Sequence, residues 1–351
     1  MKGVGMFFFG DLAVNSEISI SYDFDASEYK ILNCEGYLVD KVTEPTFSSG
    51  VFNNVESIVN AFGHERLLLS LANNHVMDKI DGVTKSIEIA KKNKLSFVGA
   101  DINLNMSLVP KVIIEQETEV AIISAGWDLI GCKHATEENE GVAPLLMKYL
   151  VPVIKKQVAL GRKVALFLHW GYETEKYPLP LHREMAFKFI DLGVDIIIGC
   201  HAHCLQGHEK YKGKSIFYGI GNSAFQQNYY YDGKLSFPDY CERGLVVRWE
   251  PKENIVTCCL SRFDDGNLCL SDFKDPTGIP DLTVLSGFST MNHKDYIEYF
   301  KRFRVKKKLL PVFIEHDGSL MYKIKFFYTA FRGVLISSLF KVKSSLKRGK
   351  V

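Results

Sequence analysis

The chain has 351 residues, 46% hydrophobic and 24% charged, a globular balance with ample core that excludes disordered and fibrous classes. Its formal charge of +2 conceals a division: residues 301–351 hold 14 Lys and Arg against Glu315 and Asp317, about +12, leaving about −10 elsewhere. Eight cysteines without a spaced framework favour a reducing compartment, and no stretch reaches the ~20 apolar residues of a membrane-spanning helix.

Residues 4–9 are too short for a secretory apolar region and lack a small-residue cleavage site, so they read as a first core strand ending at Gly10-Asp11. Residues 29–36 repeat that design with Glu35 at the end. A helix is expected over 51–62 and a buried strand over 67–72, closing at Asn73-Asn74-His75. A helix over 83–93 and a strand over 95–98 continue a βαβ alternation, which implies right-handed parallel crossovers. Residues 109–124 form two strands around Gln116-Glu117-Thr118, residues 125–140 a loop near the site, and residues 144–160 a helix stopped by Gly161.

Residues 163–222 organise the rest and read as strand, helix, strand, strand. The apolar run 164–168 delivers His169, and the run 194–200 delivers His201-Ala202-His203, as buried parallel strands deliver polar residues to the carboxyl edge of a sheet. The helix between them, 181–192, carries His182, assigned a solvated surface role. His64, His134, His208, His293 and His316 lack a strand-end context. Beyond Asn222 come an aromatic loop, Tyr229-Tyr230-Tyr231-Asp232, and an antiparallel hairpin over 244–249 and 255–263. The pattern then weakens, which divides the chain into a domain over 1–290 and a tail over 291–351.

In the tail Leu320, Ile324, Phe327, Phe331, Val334, Leu335, Leu339 and Val342 recur at helical spacing. Lys325, Arg332, Lys341, Lys343, Lys347 and Arg348 add positive charge. That is the pattern of a basic amphipathic helix in an anionic membrane interface, and the expected location is cytoplasmic, peripheral on the inner face of the membrane. Nucleic acid is not an expected partner, because no recognition motif accompanies the basic tail.

A carboxylate beside a glycine is more often a turn residue than a ligand. Asp11, Glu35, Asn74-His75, His169, His201-Ala202-His203 and Asn222 nevertheless fall on six strand ends, and oxygen with imidazole donors suits a two-metal site. Gly10-Asp11, Asn33-Cys34-Glu35-Gly36, Leu71-Ala72-Asn73-Asn74-His75, His169-Trp170-Gly171-Tyr172-Glu173, Gly199-Cys200-His201-Ala202-His203 and Tyr218-Gly219-Ile220-Gly221-Asn222 occur in that order. In these segments the sequence resembles the bacterial capsule-synthesis family named for CapA, a branch of the calcineurin-like metallophosphoesterase superfamily.

The resemblance implies an α/β, metallophosphatase-like four-layer α-β-β-α sandwich, and two divalent ions among Mn, Fe and Zn. Asp11 and His203 would hold one ion and Asn74, His169 and His201 the other, with Glu35 between them. His75, oriented by Asp78, would protonate a leaving oxygen, while Glu173 and Asn222 would line the pocket. Ala13 stands where the superfamily often has a histidine, and Ser223 where the family often has phenylalanine. The implied function is a metal-dependent hydrolase of phosphoesters in capsule, poly-γ-glutamate or surface-polysaccharide biosynthesis, acting on a phosphorylated or polymeric substrate. Amide or polymer transfer, and a non-catalytic accessory role beside capsule synthase subunits, remain open alternatives.

Overall fold

Met6, Phe7, Phe8 and Phe9 are all fully buried, so the first strand has an apolar neighbour on each face. Because side chains alternate along a strand, Met6 and Phe8 point one way and Phe7 and Phe9 the other. Phe8 meets Phe167 of a second sheet edge-on at 5.6 Å, whereas Phe9 meets Phe62 of a helix at 5.0 Å. The structure is a computed structural model that describes residues 5–41 and 50–306, together with Leu320, Lys323, Ile324, Phe327, Tyr328 and Phe331.

Two sheets pack face to face. In the first, Met6–Ala13, Tyr29–Cys34, Leu67–Ser70 and Ser96–Val98 are successive parallel neighbours. Arg243–Glu250 joins Met6–Ala13 antiparallel and pairs in turn with Ile255–Asp264, the expected hairpin. In the second sheet Thr118–Gly126, Lys163–His169, Ile196–Cys200 and Lys214–Phe217 run parallel, with antiparallel edge strands Lys111–Glu115 and His208–Tyr211. Met6, Phe8, Ile31 and Leu68 from one sheet and Ile122, Phe167, Ile196 and Ile198 from the other share the central core.

The outer faces are covered by helices. Val55–Phe62 and Gly82–Lys92 cover the first sheet, while Met147–Ala159, Pro180–Asp191 and His293–Phe303 cover the second. The result is the expected α-β-β-α sandwich.

Four expectations change. The helix placed over 51–62 starts at Val55, because residues 52–54 form a short strand and Asn54 accepts from the Glu56 amide as N-cap. Asn222 opens a strand, Asn222–Phe225, which pairs parallel with the first strand. His182 is buried, not solvated: it stacks on Trp170 at 4.8 Å and meets Trp127 edge-on at 4.6 Å. Beyond the edge placed at 290, His293–Phe303 packs into the domain core, with Tyr296 and Phe300 fully buried. Glu175 then accepts from the amides of Val305 and Lys306, both at 2.9 Å. Of the expected tail helix, Val334, Leu335, Leu339, Val342 and the basic residues from Lys325 to Arg348 lie outside the described residues.

Candidate metal centre

The parallel strands of both sheets end at one edge of the sandwich, and each end is shaped by local chemistry. Gly36 has φ of 96°, and a Cβ there would sit 2.2 Å from the Val51 carbonyl oxygen, so only glycine allows the turn that sends Glu35 inward. Asn73 bridges two strand ends: its Oδ1 accepts from the amides of Gly36 (2.9 Å) and His75 (2.8 Å), and its Nδ2 donates to the Cys34 carbonyl (2.6 Å). His201 and His203 both adopt left-handed backbone, φ 86° and 55°. Such conformations cost about 1–3 kcal/mol each for residues with a Cβ and cluster at functional sites. Here the strain directs the His201 amide to both Asp11 oxygens, at 3.1 and 3.0 Å.

The side chains of Asp11, Glu35, Asn74, His169, His201 and His203 converge. Asn74 Oδ1 lies 2.7 Å from His169 Nε2 and 3.1 Å from His201 Nδ1, and these two nitrogens are 3.1 Å apart. Asp11 Oδ2 is 3.2 Å from His203 Nδ1, and Glu35 Oε2 is 3.4 Å from His169 Nε2. Separations near 3 Å are those of adjacent ligand atoms each about 2.1 Å from a shared octahedral ion. Two three-donor groups, Glu35 with His201 and His203, and Asp11 with Glu35 and His169, have their donor atoms within 4.8 Å of one another. Glu35 belongs to both, the position a bridging carboxylate needs.

Glu35 also tests whether cations fit. Both its oxygens are buried without a hydrogen-bond partner. A buried carboxylate in that state is costly unless a cation completes it. Burial, reinforced by the Asp11 charge, pushes its carboxyl up to about 8. Burial lowers His169 to about 3, and lowers His201 well below its ordinary value with His169 adding to the effect, so both imidazoles are neutral donors. His203 is different: burial opposes its charging, but Asp11 outweighs burial and raises it to about 10. Oxygen and neutral imidazole donors around an orphaned carboxylate are a set suited to divalent Mn, Fe or Zn.

His75 and Asp78 stand beside this cluster. His75 Nδ1 is 2.9 Å from Asp78 Oδ2, which leaves Nε2 facing Glu35 Oε1 at 3.8 Å. Burial lowers the charging of His75, but the Asp78 hydrogen bond and charge prevail and raise it. Asn222 Oδ1 lies 2.9 Å from His203 Nδ1, so it orients that ring. Glu173 is exposed and acts on His203 only through space. Ala13 is buried among Tyr37, Val51, Phe52, Phe225 and Tyr230, so its own side chain offers the cluster no donor atom.

Three contributors escaped the sequence reading. Asn33 donates to Asp11 Oδ1 at 2.7 Å and lies 3.3 Å from His169 Nδ1. Asn73 sets the two strand ends, and Tyr231 reaches His75 from the aromatic loop. Asn33 and Asn73 lie inside segments already singled out, and their alternation with buried apolar neighbours was the signal available.

An α-β-β-α sandwich with carboxylate, amide and imidazole donors at the carboxyl ends of its strands defines a class of candidate metal-dependent proteins. Within that class, the sequence model of the bacterial capsule synthesis protein PGA_cap family matches residues 19–227, and the chain belongs to that family. It is 34% identical over 166 residues to the PGA biosynthesis protein CapA of Bacillus subtilis (strain 168), covering 46% of this chain and 43% of that one. It is 31% identical over 169 residues to the capsule biosynthesis protein CapA of Bacillus anthracis, covering 46% and 41%. The matches therefore span less than half the length of these curated relatives. Among solved structures, the 5'-nucleotidase from Candida albicans aligns with TM-score 0.43 and 12% identity over 86% of this chain and 57% of that one. The 5'-nucleotidase precursor from Thermus thermophilus aligns with TM-score 0.38 and 13% identity over 85% and 58%.

Proposed function

We propose that the strand-end cluster is a divalent-metal centre that hydrolyses a phosphoester during bacterial capsule or poly-γ-glutamate biosynthesis. The observation that carries this reading is Glu35, a fully buried carboxylate with two unpartnered oxygens, placed between Asp11, His169, His201 and His203. Asp11, Glu35, Asn74, His169, His201 and His203 would hold the ions. Such ions supply Lewis acidity, which neutralises phosphoryl charge and lowers the pKa of water.

The chain's own groups do the rest. Asp78 holds Nδ1–H of His75, so Nε2 presents a proton toward the cluster. As water oxygen bonds to phosphorus, its proton lost to solvent, and the phosphorus–oxygen ester bond breaks, the His75 proton passes to the departing oxygen. The neutral His75 left behind regains a proton from solvent. Asp11 accepts from Asn33 and the His201 amide, which fixes its carboxylate, and Asn222 fixes His203.

The tail supports a place of action at an anionic membrane surface, since Lys and Arg near such a leaflet each add about 1 kcal/mol. Amide or polymer transfer is the alternative that the PGA biosynthesis role of the Bacillus subtilis relative favours. Hydrolysis of aryl phosphate mono- and diesters separates the two. Wild-type protein is expected to release phenolate, and His75→Ala to lose about 10²–10⁴-fold in rate while retaining bound metal. No hydrolysis by metal-replete wild type rejects the reading, and joint loss of metal and rate in His75→Ala rejects the role of His75.

A further inference from the structure

We propose that Tyr231 is a positioning residue that fixes the ring of His75 through a three-way hydrogen-bond junction with Asp78. This deepens the hydrolytic reading of the same site. The Tyr231 hydroxyl lies 3.0 Å from His75 Nδ1 and donates to Asp78 Oδ2 at 3.3 Å. Asp78 Oδ2 also accepts from the Val51 amide at 3.0 Å and sits 2.9 Å from His75 Nδ1. One carboxylate oxygen thus gathers three donors, and the phenol oxygen is a second acceptor for Nδ1–H. That arrangement holds the proton on Nδ1 and fixes the ring's rotation, so that Nε2 faces Glu35.

The loop is built to deliver this hydroxyl. Tyr230 is fully buried beside Phe52 and Phe225, and its hydroxyl donates to the Phe52 carbonyl at 2.8 Å, which anchors the loop. The next residue, Tyr231, takes left-handed backbone with φ of 52°, a conformation uncommon for an aromatic residue, and so turns toward the site instead of following its neighbour into the core. Farther along, Phe237 stacks on His203 at 4.3 Å and 28°, so the same loop touches the cluster at two points. Burial, with the Asp78 charge next, keeps the phenol protonated as a donor.

The test is Tyr231→Phe, which keeps the ring and removes the hydroxyl, read in two independent ways. In chelator-treated protein with ¹⁵N-labelled histidine, the His75 resonances of wild type are expected to report Nδ1–H, and Tyr231→Phe to shift both ring nitrogens. In metal-replete protein, the variant is expected to lose roughly tenfold in kcat on phenyl phosphate, with a smaller loss on 4-nitrophenyl phosphate, whose leaving oxygen needs less help from an acid. KM and metal content should stay near wild type. His75 resonances unchanged by the substitution overturn the proposal, as does an equal loss on both substrates. If wild type hydrolyses neither substrate, the hydrolytic reading fails while the resonances still decide the role of Tyr231. An unchanged Tm for the variant separates positioning from loss of fold.

Discussion

His182 sits between two tryptophans, fully desolvated, and its Nε2 has no hydrogen-bond partner. Burial alone lowers it to about 3, against about 6.5 in an unfolded chain. The unfolded state therefore binds a proton below about pH 6.5 that the folded state refuses, so this residue's contribution to stability is intact above that pH and is lost as pH falls toward 3. Replacing it with the nearly isosteric phenylalanine removes the linkage. Urea unfolding at pH 7 and pH 5 should show wild type losing about 2 kcal/mol more between the two than His182→Phe; equal losses would show that the imidazole titrates freely. Helical spacing put His182 on a surface because it gives a period but not the depth of the opposite layer, and here Trp127 and Trp170 supply that layer. The strand-end cluster was easier to see, since Asp11, His169 and His201 each terminate an apolar run. Tyr231 was not legible, because its direction depends on a left-handed backbone that side-chain pattern does not encode.

At the level of elements, the central strands were readable because burial on both faces gives unbroken apolar runs such as Val-Ala-Leu-Phe-Leu before His169. The short strand Phe52–Asn54 was absorbed into the following helix, since three residues carry too little periodicity to separate it. The tail is a different case. Leu320, Ile324, Phe327 and Phe331 are helical, and 74%, 52%, 72% and 54% exposed. A stripe at this spacing beside an excess of Lys and Arg suits an anionic lipid surface. Full-length protein is expected to sediment with vesicles containing anionic lipid and not with neutral ones. A Phe327→Glu, Phe331→Glu variant should bind roughly tenfold or more weakly. Equal binding to both vesicle types, or by both proteins, would remove the membrane from the account. Among the described residues no helix is long and apolar enough to cross a membrane.

For the molecule as a whole, the sandwich layers follow from the alternation of apolar runs and helices, but the domain's end does not. Tyr296 donates to the Pro178 carbonyl and Glu175 receives the Val305 and Lys306 amides. These long-range contacts fasten residues 293–306 to the loop that follows His169, and no local composition announces them. The buried Glu35, with both oxygens unpartnered, is expected to meet cations. The decisive measurement is elemental analysis of wild-type protein purified without chelator, alongside Glu35→Gln and His201→Ala. Wild type is expected to carry Mn, Fe or Zn, and both variants to lose most of it while keeping the folded circular-dichroism signature. Wild-type protein that holds no transition metal, and takes none up on dialysis against Mn or Zn, would contradict the account.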